Sequence, residues 1–240
     1  MQHELDHAAR GALTGRHAAF AQHSRTALRY APEFGPFAGP AGHAPDQLAD
    51  LWGLAGGDHP TALFTCDELA FPDCLTCLRR GRLHEMLLPA MPPTDARPAP
   101  PIRELTQSDV PAMMQLVALT NPGPFAERTI ELGRYIGVFE DATLLAMAGE
   151  RINLDGYTEI SAVCTHPSQR GRGLARALIA NAAHAIFARG DLPFLHVFAE
   201  NEPALAVYRR MGFETRHIMH LAVVAQATAA AVAPRHTELA

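Results

Sequence analysis

From Ile102 onward, apolar and polar positions alternate between two periods. "IREL" reads as a short strand, and in "TQSDVPAMMQLVALT" Ser108 or Asp109 stands where a helix cap is wanted while Met113, Leu116, Val117 and Leu119 make one apolar side. "PFAERTIELG" reads as a second helix stopped by Gly133. Three runs with strand character follow, "RYIGVFE", "ATLLAMAGERI" and "YTEISAVCT", the first two parted by Asp141 and the last two by the turn signal "NLDG". In "GLARALIANAAHAIFARG", Leu174, Leu178, Ala182 and Ile186 recur at helical spacing and Gly190 is the stop. Then come a strand "PFLHVFA", a helix "EPALAVYRRMG" and a final strand or pair of strands "FETRHIMHLAVV". The order βααβββαβαβ predicts an α/β or α+β domain, a sheet with helices on both faces.

The first 88 residues are less regular. "ELDHAARGALTGRHAAFA" and "PDQLADLWGLAG" look helical, "TALFTC" looks like a strand, and "RYAPEFGPFAGPAGHAP" is irregular by its Pro and Gly content. A smaller N-terminal α/β region of unknown role is therefore expected over 1–88. Between Leu88 and Ile102, six prolines remove backbone donors and fix φ, so 89–101 reads as a semi-rigid linker. The main domain is expected over 102–224, and 225–240 reads as a low-complexity tail.

With 240 residues, 48% hydrophobic and 19% charged, the chain has the composition of a globular protein that buries a core. A formal net charge of −5 offers no general attraction for a polyanion, which argues against nucleic acid as a partner. Neither a signal-peptide pattern nor a run of 18 apolar residues stands out, so a cytoplasmic location without membrane attachment is expected. Of the four cysteines, Cys74 and Cys77 form a CxxC pair with Cys66 before it and His84 after it. The surrounding segment is apolar and no second CxxC follows, so packed thiols are expected and no metal. His3, His7, His17 and His23 are spread along one helix-like region and read as solvated positions.

The densest chemistry lies in "THPSQRGRGLARAL", Thr165 to Leu178, where glycines and arginines separate a strand from a helix. A helix N-terminus exposes unpaired amides and the positive end of the helix dipole, and Gly171 and Gly173 permit a close backbone approach. Arg170 and Arg172 add charge suited to a phosphate. The segment is neither a P-loop nor a complete dinucleotide fingerprint. A solvated turn, a nucleic-acid contact and a nucleotide cradle all remain open on this segment alone.

Read together with "NEPALAVYRRMGF", it resembles the GNAT superfamily of acetyl-CoA-dependent N-acetyltransferases. The motif [RQ]xxGx[GA] is met by Arg170, Gly173 and Ala175, and NxxAxxxYxxxGF by Asn201, Ala204, Tyr208, Gly212 and Phe213. The resemblance covers roughly Ile102 to Val224 and implies the GNAT fold, a mixed, mostly antiparallel sheet. The N-terminal region resembles the front half of longer bacterial members.

The resemblance implies an acyltransferase that moves acetyl from acetyl-CoA directly to a primary amine of a small-molecule or peptide acceptor. The pyrophosphate would sit on Arg170, Gly171, Arg172, Gly173, Leu174, Ala175 and Arg176. The pantetheine arm would run beside Val163, Cys164 and Thr165 like an added strand. Tyr208 matches the family's general acid toward the departing thiolate, and Glu159, eleven residues before Arg170, matches the catalytic base of the histone-acetylating members. By alternation Glu159 would share a face with Ser161, Val163 and Thr165. His196 is the second candidate base, and Asn201 would position the coenzyme arm or cap the helix that carries Tyr208. A backbone amide near Val163 or Cys164 would polarise the thioester carbonyl. A homodimer is among the expected assemblies. The alternative function is an acyl-CoA-binding module without catalysis.

Overall fold

The structure, a computed structural model, describes residues 3–54, 59–92 and 100–227. The expected linker lies mostly outside these residues, as does the expected tail beyond Ala227.

The element order begins with a 3₁₀ turn Glu4–His7, helix α1 (Ala8–Thr14), strands β1 (Ala21–His23), β2 (Leu28–Tyr30) and β3 (Ala38–Gly39), and helix α2 (Pro45–Ala49). Strands β4 (Thr61–Thr65) and β5 (Leu75–Leu87) follow. After the proline-rich stretch come β6 (Ile102–Glu104), α3 (Val110–Thr120), β7 (Tyr135–Glu140), β8 (Thr143–Leu154), β9 (Tyr157–Thr165), α4 (Leu174–Ala188), β10 (Leu192–Phe198), α5 (Glu202–Arg210) and β11 (Glu214–Gln226). β1, β2 and β3 form a small antiparallel sheet. The other eight strands form one sheet in the order β4-β11-β5-β10-β9-β8-β7-β6. Every pairing in it is antiparallel except that of β9 with β10.

The pattern of the second half therefore holds, with three differences. "PFAERTIELG" makes only a 3₁₀ turn, Thr129–Leu132. Leu119, placed on the apolar side of its helix by the sequence, is 53% exposed. The last strand is a single one, and it extends through Ala225 and Gln226, which the sequence assigned to the tail. The larger difference concerns the first 88 residues. β5 lies between β10 and β11, pairing with both, so strands from either side of the proline-rich stretch complete one sheet. β5 escapes the strand pattern because Arg79, Arg80 and Arg82 interrupt its apolar residues.

α4 and α5 pack on one face, where Leu174, Leu178, Ala182 and Ile186 from α4 meet Ile136, Ile160, Leu195 and Val197 from the strands. These four α4 residues lie on one stripe and are each at most 7% exposed, as their spacing requires. α3 packs against β8 and β9 through Val110, Met113 and Leu116, beside Met147, Ala162 and Cys164. The N-terminal elements bury Leu5, Leu13, Tyr30 and Phe37 against Ile152, Leu154, Phe194 and Met219. Polar contacts fix the same junction. Arg16 forks Asp191, Arg216 donates to Asp6 at 2.7 Å, and Thr129 donates to the Phe34 carbonyl at 2.8 Å. His17, expected in solvent, is 4% exposed and lies 2.9 Å from the Tyr30 hydroxyl and 3.3 Å from Asn153 Nδ2. Burial pulls its pKa down to about 4.

Candidate functional site

The site is built where β9 and β10 part. The two strands pair in parallel over only three positions, Leu192 with Tyr157, Pro193 with Thr158 and Phe194 with Glu159. β9 continues to Thr165 and β10 to Phe198 without further pairing between them, so a slot opens whose β9 edge keeps main-chain groups to offer. His196 shows the same opening from the other side: its side chain is 3% exposed although the residue as a whole is half-buried, so what solvent meets there is main chain.

A bulge in β9 shapes the slot wall. Ala162 has φ 51°, and opposite it the pairing jumps from Met147–Cys164 to Gly149–Ser161, three positions of β9 against two of β8. An extra residue reverses the inside–outside alternation beyond it. Val163 consequently joins Ile160 in the core cluster of α4 and α5, and Cys164 joins Ala162 in the cluster of α3. The expectation that Glu159 shares a face with Val163 is corrected by this bulge. Cys164 is buried, and that burial pushes its thiol up to about 11, so it is a wall of the slot and a poor nucleophile. Thr165 Oγ1 is buried with no hydrogen-bond partner among the described residues.

The mouth of the slot is the glycine-arginine turn. β9 stops at Thr165, Pro167 begins a 3₁₀ turn, Pro167–Gln169, and α4 starts at Leu174. Gly171 and Gly173 have φ 79° and 82°, in the left-handed region where a side chain is disfavoured. Gly173 is the N-cap and supplies no side-chain cap, so the first amides of α4 keep their donors for a ligand. A Cβ built on Gly171 would meet nothing within 4 Å, so the turn is open on that side. Arg170 and Arg172 are exposed, Arg172 donating to Gln169 Oε1. Leu174 is 7% exposed in the core, so it faces the mouth with its amide alone, while Ala175 and Arg176 complete the first helical turn.

Tyr208 sits on α5, packed against the cluster that contains Val163 and Val197, with Phe213 edge-on at 5.7 Å. Burial raises its hydroxyl to about 12, so it is a protonated donor at neutral pH. Asn201 caps the helix that carries it, its Oδ1 accepting from the Ala204 amide at 3.2 Å. This arrangement brings Tyr208, Val163 and the turn to one side of the slot.

Glu159 lies on the other face, where Arg151 grips both its oxygens at 2.9 and 2.7 Å and His196 Nδ1 lies 2.8 Å from Oε1. Burial pushes its pKa up, but Arg151 and His196 outweigh that and hold it at about 2. Burial pulls His196 down, but Glu159 and Glu85 outweigh it and raise the imidazole to about 9. The two groups therefore form an imidazolium–carboxylate pair at neutral pH rather than a free base. His196 Nε2 forms a second ion pair, 3.3 Å from Glu85 Oε2, and Arg216 donates to the other oxygen of Glu85. Sequence reasoning missed Glu85, Arg151 and Arg216. The available signal was charge inside an otherwise apolar strand, Glu85 in "LHEML" and Arg151 beside Glu150 in "GERINL".

Cys66, Cys74 and Cys77 are half-buried free thiols. Among the described residues no group of three or more His, Cys, Asp or Glu is placed to hold a metal ion, and no helix is long and apolar enough to cross a membrane.

The chain resembles known proteins in sequence and in fold. A family model described as "FR47-like protein" matches residues 135–221, from β7 into β11. The N-alpha-acetyltransferase RimI of Mycobacterium tuberculosis is 32% identical over 47% of this chain and 77% of its own. A Mycobacterium leprae protein described as uncharacterized is 34% identical over 47% of this chain, which spans about a third (34%) of that relative's length. A crystal structure from Novosphingobium aromaticivorans, described as a "Putative Acetyltransferase from the GNAT family", superposes with a TM-score of 0.86 at 35% identity, covering 95% of this chain and 100% of that one. A GCN5-related N-acetyltransferase of Kribbella flavida shares the fold with a TM-score of 0.56 at 19% identity over 90% of this chain and 95% of its own. The chain belongs to the GNAT superfamily of acetyltransferases.

Proposed function

We propose that the protein transfers acetyl from acetyl-CoA to a primary amine, with the slot between β9 and β10 as the place of transfer. The observation that carries this reading is the parting of two parallel strands beyond Glu159 and Phe194, with an uncapped helix N-terminus at its mouth and Tyr208 at its side. The residues present fit the coenzyme: left-handed Gly171 and Gly173 let backbone approach a pyrophosphate, and Arg170 and Arg172 supply charge. The unpaired edge at Val163, Cys164 and Thr165 suits an amide-bearing arm laid alongside it, and Thr165 Oγ1 has a hydrogen bond to give.

Acetyl-CoA supplies the activated acyl group. A main-chain amide near Val163 or Cys164 would polarise the thioester carbonyl. The neutral amine nitrogen would attack its carbon, forming the carbon–nitrogen bond as the carbon–sulfur bond breaks. The Tyr208 hydroxyl, kept protonated by burial, would give its proton to the sulfur, and the proton lost by the amine would pass through water to restore the hydroxyl. In this reading Glu159 holds His196 in place, since its own oxygens are engaged by Arg151 and His196. The cytoplasm is the proposed location.

The test is a thiol-release screen with acetyl-CoA and a panel of amines, run on wild type and Y208F. Amine-dependent release that drops sharply in Y208F supports transfer. Tight acetyl-CoA binding with no release for any amine would favour the non-catalytic binding module.

A further inference from the structure

β10 covers only part of β5. β11 pairs with β5 from Leu75 to Leu87, whereas β10 pairs only from Leu83 to Leu87, with one further bond from the Ala199 amide to the Arg82 carbonyl. On that side the edge of β5 over residues 76–81 has no neighbouring strand among the described residues. An uncovered edge offers a row of main-chain donors and acceptors to another chain. At ~3.3 Å per residue this one runs ~20 Å, the length of an ordinary short strand. Its side chains are exposed at Leu78, Arg79 and Arg80, and again at Arg82. Leu78 is the extra residue of a bulge opposite Val223 and Val224 and is 56% exposed. Arg79 lies over the Phe198 ring at 4.9 Å, where β10 ends, and Arg80 pairs with Glu68 at 3.1 Å. Among the described residues neither Arg79 nor Arg82 has a carboxylate partner.

We propose that this edge docks an extended acidic peptide, which adds to β5 as a strand and sets its carboxylates against Arg79 and Arg82. The chain carries a formal net charge of −5, so the basic strip is a local feature, and an acidic segment meets it with opposite charge. Main-chain pairing supplies affinity, and the side chains on alternate positions supply selectivity. Exposed Leu78 adds one apolar contact beside the charges. A second copy of the chain fits less well, because pairing edge to edge brings arginines against arginines. A nucleic acid meets the charge but leaves the main-chain groups without a strand partner. The inference goes beyond the transfer reading and does not depend on it, since it assigns a protein partner and not the amine.

The experiment uses the full chain and fluorescence anisotropy with two labelled peptides, one alternating glutamate and valine, the other lysine and valine. The acidic peptide is expected to bind at least ~10-fold more tightly than the basic one, and to lose at least ~10-fold when its main-chain amides are methylated. R79E/R82E should reverse the preference, a gain for the basic peptide that a misfolded variant would not show. Amide hydrogen exchange at residues 76–81 should slow when the acidic peptide is bound. No binding of the acidic peptide at ~1 mM, equal binding of the two peptides, an unreversed preference in the variant, full binding of the methylated peptide or unchanged exchange at residues 76–81 each overturns the proposal. A short single-stranded oligonucleotide that binds as tightly as the acidic peptide overturns it in favour of nucleic acid. A dimer in solution that protects the same amides overturns it in favour of a second copy.

Discussion

Phe194 is the last residue of β10 to pair with β9, and its partner there is Glu159; two residues later, His196 turns its Nδ1 back onto that same carboxylate at 2.8 Å. The point where the strands part is thus pinned by a buried ion pair rather than by main-chain bonds. Arg151, over the Phe37 ring at 4.3 Å, ties the pair to the N-terminal elements.

That arrangement predicts how stability varies with pH. Glu159 has its pKa lowered from 4.5 to about 2 on folding, so its contribution is complete above pH 4.5 and is lost as pH falls toward 2. His196 is raised from 6.5 to about 9, so its contribution is complete below pH 6.5 and is lost as pH rises through 9. Thermal unfolding from pH 3 to 10 should therefore show a maximum contribution between pH 4.5 and 6.5, with the alkaline decline reduced in H196Q. An identical alkaline limb in the variant would contradict the pairing. R151M, which strands the Glu159 charge in the core, should cost about 3–5 kcal/mol.

Y208F removes a hydroxyl and little packing. It should lower the rate of thiol release by ~10²-fold or more while shifting the melting temperature only slightly, since the ring still meets Phe213. Because the hydroxyl titrates only at about 12, no decline below pH 10 in the wild-type rate should be due to Tyr208. A Y208F enzyme with full activity would remove Tyr208 from the chemistry.

G171A tests the cradle through backbone conformation alone, because the added methyl meets nothing within 4 Å. Holding alanine at φ 79° costs about 1–2 kcal/mol, so the turn should relax and bind acetyl-CoA more weakly. Calorimetric titration with acetyl-CoA gives the answer, and unchanged affinity would mean that the coenzyme does not lie on this turn.

A chain started at Ile102 keeps both family motifs and loses β5. Without it, β10 loses its antiparallel neighbour, and β11 loses a partner along its whole length. The truncated protein should show no cooperative unfolding by circular dichroism. A sharp transition like that of the full chain would show that β5 is dispensable.

What the sequence by itself determined is local. The spacing of Leu174, Leu178, Ala182 and Ile186, the glycines of the turn and the Asn201 cap all depend on residues a few positions apart, where helix geometry and glycine's conformational freedom act directly. The tertiary structure decided what depends on partners far along the chain. It placed β5 in the middle of the sheet, turned Val163 away from the face of Glu159 through a bulge at Ala162, and buried His17 against Tyr30. It also set the charge of Glu159 and His196 through Arg151 and Glu85. Strand neighbours and ion-pair partners come from packing over long separations, and no local period in the sequence records them.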